Sequence, residues 1–243
     1  MLNVTFFGTR AAPPAAPERS GRYGRHTACV ALEVPRRDAL LCDLGTGAQE
    51  WAAALDPGSP RRAAVLLSRP DAHHVSGMPV LDPGELDVFG PPFEGVLPGI
   101  RYTRVEDEEL AVGEASVTVR SVPHDGPANG YRIECEGVRV AYVGDHGAPP
   151  TLDTVAAAVL ELADGVDLLV HDTGGSSTVE YALLVARESR ARRLVLFHHG
   201  AERDDEDLDR ILAGARRRAE RMGVDEVLAA AEGTTVSFER DAR

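Results

Sequence analysis

Apolar and polar residues alternate from Leu2 to Gly8, a period of two that predicts a half-buried strand. The segment from Thr9 to Pro17 is too rich in proline for regular structure and reads as a long surface loop. Two further strands follow, over His26 to Val34 and Ala39 to Asp43, and the turn from Asp43 to Gly47 leads into a short helix through Trp51 and Leu55. Ala63 to Leu67 is a short apolar run of the kind that makes a buried strand, and Leu86 to Pro92 predicts a strand closed by a turn. Residues 93 to 109, rich in Gly, Pro and Glu, read as a loop near the mouth of a site. Alternation returns at Ala115 to Val122, and Gly130 to Cys135 and Val138 to Val143 are joined by Glu136-Gly137, a hairpin signal.

The rhythm then changes. Helices over Thr151 to Ala163, Thr178 to Ser189 and Asp204 to Met222 alternate with buried strands at Asp167 to Asp172 and Arg193 to His198, and Thr234 to Phe238 is the last strand. The third helix carries acid at its start and Arg216 to Arg218 late, which suits the helix dipole. Runs of strands followed by alternating strands and helices predict the α/β (α+β) class and a four-layer αββα sandwich. No internal repeat or linker interrupts the chain, so residues 1–243 read as one domain.

Composition changes this picture little. Of 243 residues 43% are hydrophobic and 27% charged, as in ordinary globular proteins. No apolar run approaches the roughly 18 residues that span a membrane, and the N-terminus lacks the basic segment of a signal peptide, so a cytoplasmic protein is expected. Cys29, Cys42 and Cys135 are scattered in apolar runs and read as buried free thiols. A formal charge of −13 repels polyanions, and no basic stripe with interleaved aromatics is visible, so nucleic acid is disfavoured as the main ligand. A local basic patch from Arg10, Arg19, Arg22 and Arg25 is the alternative to that reading.

The chemistry gathers behind Ala63 to Leu67. The run enters Ser68-Arg69-Pro70-Asp71-Ala72-His73-His74-Val75-Ser76-Gly77, where an Asp and two His at the end of a buried strand offer a metal site on a rigid support. This stretch resembles the signature loop of the metallo-β-lactamase superfamily, Ser-His-x-His-x-Asp-His-x-x-Gly. Ser68, His74 and Gly77 match; Arg69 and Asp71 stand in place of the first two His, and His73 in place of the Asp. Phe7-Gly8-Thr9, Arg22 to Cys29 and Asp43 to Gly47 resemble the opening blocks of the ribonuclease Z-like, phosphodiesterase branch, with His26 where that branch has Asn. The resemblance runs over residues 2 to 238 and implies the metallo-β-lactamase sandwich, with Asp43 as a structural carboxylate.

Three later segments resemble the family's remaining ligand blocks: Pro123-His124 with Gly130 to Ile133, Ala141 to Asp145, and Leu194 to His199. The resemblance implies two metal positions. The first would use positions 69, 71, 124 and 145, but an arginine has no lone pair to donate, so this position is expected to hold no ion. There Arg69 either binds an anion or fills the position through a salt bridge with Asp71. The second would use His73, His74, Asp145 and His198, a set suited to one zinc ion, with Fe(II) or Mn(II) as alternatives. Ser176 stands where the branch carries a His tied to leaving-group protonation, which argues against transfer-RNA processing.

The sequence therefore implies a mononuclear metal-dependent hydrolase acting on a small, anionic ester or phosphodiester. His73, His74, Asp145 and His198 hold the metal, and Arg69, Asp71 and His124 form the catalytic set beside it. His146 and His199 are expected beside ligands rather than as ligands, and His171 and Asp172 to orient a ligand, move a proton or simply pack. Two alternatives remain open: a metal-free, non-hydrolytic member of the fold that binds a small molecule or protein partner, and iron redox chemistry on the same ligands. No membrane association is expected, and a homodimer is left open.

Overall fold

Alternation buries Leu2, Val4 and Phe6 of β1 (Leu2–Gly8) on one face, and that face is half of the core. The chain is described by a computed structural model over residues 1–55, 62–95, 97 and 99–239. The first sheet adds β2 (Cys29–Glu33), β3 (Ala39–Cys42), β4 (Ala63–Leu66), β5 (Leu86–Gly90) and β6 (Arg101–Arg104) in sequence order on one side of β1. On its other side lies the last strand of the chain, β14 (Thr235–Phe238). The second sheet runs β7 (Glu109–Val112), β8 (Ala115–Ser121), β9 (Asn129–Cys135), β10 (Val138–Val143), β11 (Leu168–Asp172), β12 (Arg193–Phe197) and β13 (Glu226–Ala229). Strands β10 to β13 are parallel and β10 to β12 almost continuously buried, as expected of strands covered on both faces.

The two sheets pack face to face through Leu2, Val4, Phe6, Leu40 and Leu66 on one side and Val117, Ile133, Tyr142, Val170 and Phe197 on the other. Each such fully buried Val, Leu or Phe contributes about 1.5–3 kcal/mol. Helix α1 (Gly47–Ala54) seats Trp51 and Ala48 on the outer face of the first sheet. Helices α3 (Ala157–Ala163), α4 (Val179–Ser189) and α5 (Asp205–Met222) cover the second with Leu162, Tyr181, Val185, Ala215 and Ala219. The result is the expected αββα order. Thr178 caps α4, and Asp204 and Asp207 form a capping box on α5, which ends at left-handed Gly223.

Three expectations need correction, and one strand was not anticipated. The stretch expected as a loop, 93 to 109, contains β6 and opens β7; β6 exposes Arg101, Thr103 and Arg104, so an edge strand guarded by charge hides its pattern. β13 is a four-residue strand that partial burial and a following run of alanines conceal. Helix α3 starts at Ala157, not Thr151, because the extended Ala156 gives its N–H to the Tyr181 hydroxyl at 3.0 Å. The basic patch does not form: Arg10 is fully buried, Arg19 pairs with Asp204, and Arg22 lies 2.7 Å from Asp209. Cys29 and Cys42 are buried free thiols as expected, while Cys135 is half-buried. Among the described residues no helix is long and apolar enough to cross a membrane.

The loop after β1 is pinned by Glu232, whose carboxylate accepts the Arg25 and His26 amides at 2.6 Å and the His26 Nδ1–H at 3.0 Å. That hydrogen bond with Glu232 raises the His26 pKa above 6.5, against burial and with help from the charges of Glu232 and Glu50. A raised folded pKa means the stabilisation is full below 6.5 and is lost as pH rises through the folded value. Denaturant midpoints should therefore fall over that interval, and the Glu232→Gln chain should show a flatter profile there. Identical profiles for the two chains would reject the linkage.

Candidate metal centre

The parallel strands β3 and β4 of the first sheet and β10, β11 and β12 of the second end at one edge of the sandwich, and β8 points the same way. Residues at or just beyond those ends, Asp43, Ser68, His124, Asp145, Asp172 and His198, are therefore delivered to one place.

Asp43 anchors the edge. It is fully buried, at a φ of 61°, and accepts the Ser68 amide at 2.7 Å, the Ser68 hydroxyl at 2.8 Å and the Tyr142 hydroxyl at 2.6 Å. Burial raises its pKa, and His74 and these donors oppose the rise. Beyond Ser68 the chain makes the single turn α2 (Ala72–Val75), with Asp71 as its cap accepting the His73 amide at 3.0 Å. Gly77 closes the turn against the 43–47 loop, where any Cβ would sit 2.1 Å from the Gly45 carbonyl oxygen. Consecutive helical residues point about 100° apart, so His74 turns inward and is buried while His73 faces out and is exposed.

Asp71 reaches back and accepts the His74 Nδ1–H at 2.8 Å. On the other side, the buried Asp172 lies 3.3 Å from Nδ1 of His198, and also accepts the Gly174 and His146 amides at 2.8 and 3.2 Å. Each imidazole is thus held through Nδ1 by a carboxylate, which leaves Nε2 as the atom that takes up a proton or an ion. Both Nε2 atoms are buried and have no hydrogen-bond partner, although Asp43 lies 3.9 Å from that of His74. The His74 and His198 rings are 5.3 Å apart, and His74, Asp145 and His198 offer ligand atoms within 4.8 Å of one another. Two imidazoles and a carboxylate fit a zinc ion with a coordination position left open. Burial disfavours the His74 imidazolium, but Asp43, Asp71 and Asp145 outweigh it and raise its pKa to about 9.

The other expected metal position is filled by a side chain. The Arg69 Nε lies 3.2 Å from Asp71 Oδ2 and 3.5 Å from Asp145 Oδ2, and its NH1 rests on the His124 ring, 2.7 Å from Nε2. His124 Nε2 is itself 3.0 Å from Asp145 Oδ1. The guanidinium sits among the three residues, Asp71, His124 and Asp145, that would otherwise share an ion. Burial acts to raise the Asp71 pKa, but the His74 hydrogen bond, the charges of His74 and Arg69 and the His73 amide together hold it well below the usual carboxylate range.

His74, Asp145 and His198 come together as expected; His73 does not, because it lies on the outward side of α2. Asp71, expected in the catalytic set, is engaged by Arg69, His74 and the His73 amide. His146 and His199 turn to the Pro123 and Ala230 carbonyls at 3.1 and 2.9 Å, and burial pushes their pKa values down to about 4 and 3. His171 bonds the Asp172 carbonyl at 2.7 Å and is pushed down to about 3, again by burial. Tyr142 is the supporting residue missed, since a tyrosine in a buried strand carries no signal beyond packing.

A family model described as a beta-lactamase superfamily domain matches residues 39–199 of the chain. A ribonuclease Z of Mycobacterium tuberculosis is 30% identical over 208 residues, covering 70% of this chain and 69% of the relative. Among solved structures, the metallo-beta-lactamase fold protein YhfI from Bacillus subtilis superposes with a TM-score of 0.75 at 17% identity, covering 97% of this chain and 98% of that one. A diphosphatase of the PhnP family gives a TM-score of 0.73 at 17% identity, with 98% of each chain covered.

Proposed function

The chain belongs to the β-lactamase superfamily and to its ribonuclease Z-like branch, and from that premise we propose that it is a hydrolase of small anionic esters or phosphodiesters using a single zinc ion. His74, Asp145 and His198 hold the ion. The observation that carries this reading is the pair of buried, unpartnered Nε2 atoms of His74 and His198, held toward each other beside Asp145. Other buried side-chain atoms here also lack partners, His146 and His171 Nε2 among them, but these two converge with the Asp145 carboxylate on one point, which supports a ligand common to all three. A zinc ion there supplies Lewis-acid chemistry, activating water and polarising an ester or phosphoryl oxygen.

Arg69 keeps a fixed positive charge beside the ion, bound by Asp71 and Asp145, and orients His124 at the mouth. A cleft of about 390 Å³ opens there, lined by Pro123, His124, Asp125, Ala148, Pro149 and Ser176, with one carboxylate and no lysine or arginine among its lining residues. Such a wall favours the organic part of a small molecule over a polyanion. The pairing of Arg19 and Arg22 with acidic residues of the α5 start, together with the −13 charge, also argues against RNA as substrate. Ser176 Oγ lies 3.4 Å from His124 Nε2, and a hydroxyl is a poor acid near neutral pH, so substrates whose leaving group departs without protonation are favoured.

A second reading, a metal-free binding protein of the same fold, draws on Arg69, which fills one metal position with a side chain. Zinc titration of chelator-free protein separates the two, with hydrolysis of bis(p-nitrophenyl) phosphate and p-nitrophenyl esters as readout. One zinc per chain with zinc-dependent turnover supports the hydrolase. No uptake at micromolar zinc ends it.

A further inference from the structure

Arg10 is a cation with no exposed surface, and among the described residues it makes no salt bridge. Burying a guanidinium is costly unless its environment compensates, so its partners show what it serves. They are main-chain oxygens: Nε donates to Gly24 at 2.8 Å, and NH1 to Arg203 at 2.6 Å and Gly200 at 3.4 Å. The last two lie in the turn that follows His198. Burial lowers the Arg10 pKa, and the charges of Asp205, Glu232, Glu202 and Asp204 oppose that.

That turn has a second peculiarity. His198 stands at a φ of 59°, a left-handed conformation that a residue with a Cβ adopts at a cost and keeps only when its surroundings enforce it. The segment holding Arg10 is bonded directly to this turn. Thr9 accepts the His199 amide at 2.9 Å, the Ala11 amide donates to the His199 carbonyl at 3.0 Å, and Arg10 forms a parallel bridge with His199. The main chain of 9–11 thus grips the turn on one side, and the Arg10 guanidinium grips its far end.

We propose that Arg10 is a positioning residue for the metal centre, a buried staple that holds the 198–203 turn so that His198 keeps its left-handed backbone and aims Nε2 at the ion. This rests on the zinc reading above. It differs from a role in holding the loop alone, because Arg22, through Asp205 and Asp209, ties the same loop to α5 without touching the turn. The two roles separate experimentally.

Zinc affinity is measured by chelator competition on wild-type, Arg10→Lys and Arg22→Ala chains, with thermal melts on each. A lysine keeps the charge but not the fork of donors, so Arg10→Lys should lose tenfold or more in affinity, in the range typical of groups that orient metal ligands. Arg22→Ala should bind as wild type does. Equal affinity in all three chains, or equal loss in the two variants, overturns the staple and leaves the metal reading intact. A wild-type chain that takes up no zinc overturns both. If Arg10→Lys does not fold, hydrogen exchange on the wild-type protein decides. By reciprocity of linkage, zinc should slow exchange of the His199 and Ala11 amides, and unchanged exchange counts against the staple.

Discussion

A chain carrying His74→Ala or His198→Ala is expected to leave a zinc-saturated preparation with no bound metal, where the wild type carries one ion. Each substitution removes one of three ligands and leaves two, and the loss should exceed the tenfold to hundredfold typical of groups that merely orient ligands. Asp172→Asn provides the graded comparison. It keeps all three ligands but weakens the hold on His198 Nδ1, so its affinity should fall within about that tenfold to hundredfold range. Thermal stability gives a second reading of the same equilibrium. Free zinc at about a hundred times its dissociation constant stabilises a binding chain by about 2.7 kcal/mol, so the wild-type melt should shift upward and the His74→Ala melt should not. A zinc-dependent shift that survives in both His variants would place the ion elsewhere and remove the basis of the proposed hydrolase.

The fold behind this site was legible in the sequence to the extent that each element carried its own signal. β1 and β8 announce themselves by alternation, the β9–β10 hairpin by Glu136-Gly137, and α5 by its acidic start and late arginines. β6 and β13 were not legible, because both are short strands at sheet edges. Their register comes from a neighbouring strand rather than from a hydrophobic pattern of their own. The start of α3 depends on the Tyr181 hydroxyl, a contact with another helix that no local pattern records.

The site divides along the same line. Spacing within one loop placed Asp71, His73 and His74 together, but the direction of each side chain depends on the single turn α2, which turns His74 in and His73 out. Similarly, Arg10, Arg19 and Arg22 looked like one basic cluster because only their own segment was in view. Apart from Gly24, which accepts from the Arg10 Nε, their partners come from some 180 to 200 residues later, from the turn after β12 and from the first turns of α5.

Arg69→His is expected to convert the centre from one zinc per chain to two. The guanidinium occupies the position at which Asp71, His124 and Asp145 converge, and its single charge is shared between two carboxylates there. An imidazole in its place would remove the fixed charge that repels a second cation and add a lone pair to a set that already has one His and two Asp. The donor atoms are available. Asp71 meets His74 through Oδ1 and Arg69 through Oδ2; Asp145 meets His124 through Oδ1 and Arg69 through Oδ2. Removing the guanidinium frees both Oδ2 atoms at once. Without metal the variant should be less stable than wild type, since two partly buried carboxylates lose their counter-charge, and saturating zinc should restore more stability to it than to wild type. Arg69→Met separates loss of charge from gain of a ligand: it should bind its second zinc far more weakly than Arg69→His. Elemental analysis and calorimetric titration read the stoichiometry directly. If Arg69→His still holds a single ion at saturating zinc, the guanidinium does not stand in a metal's place, and the ion pairs around it are packing alone.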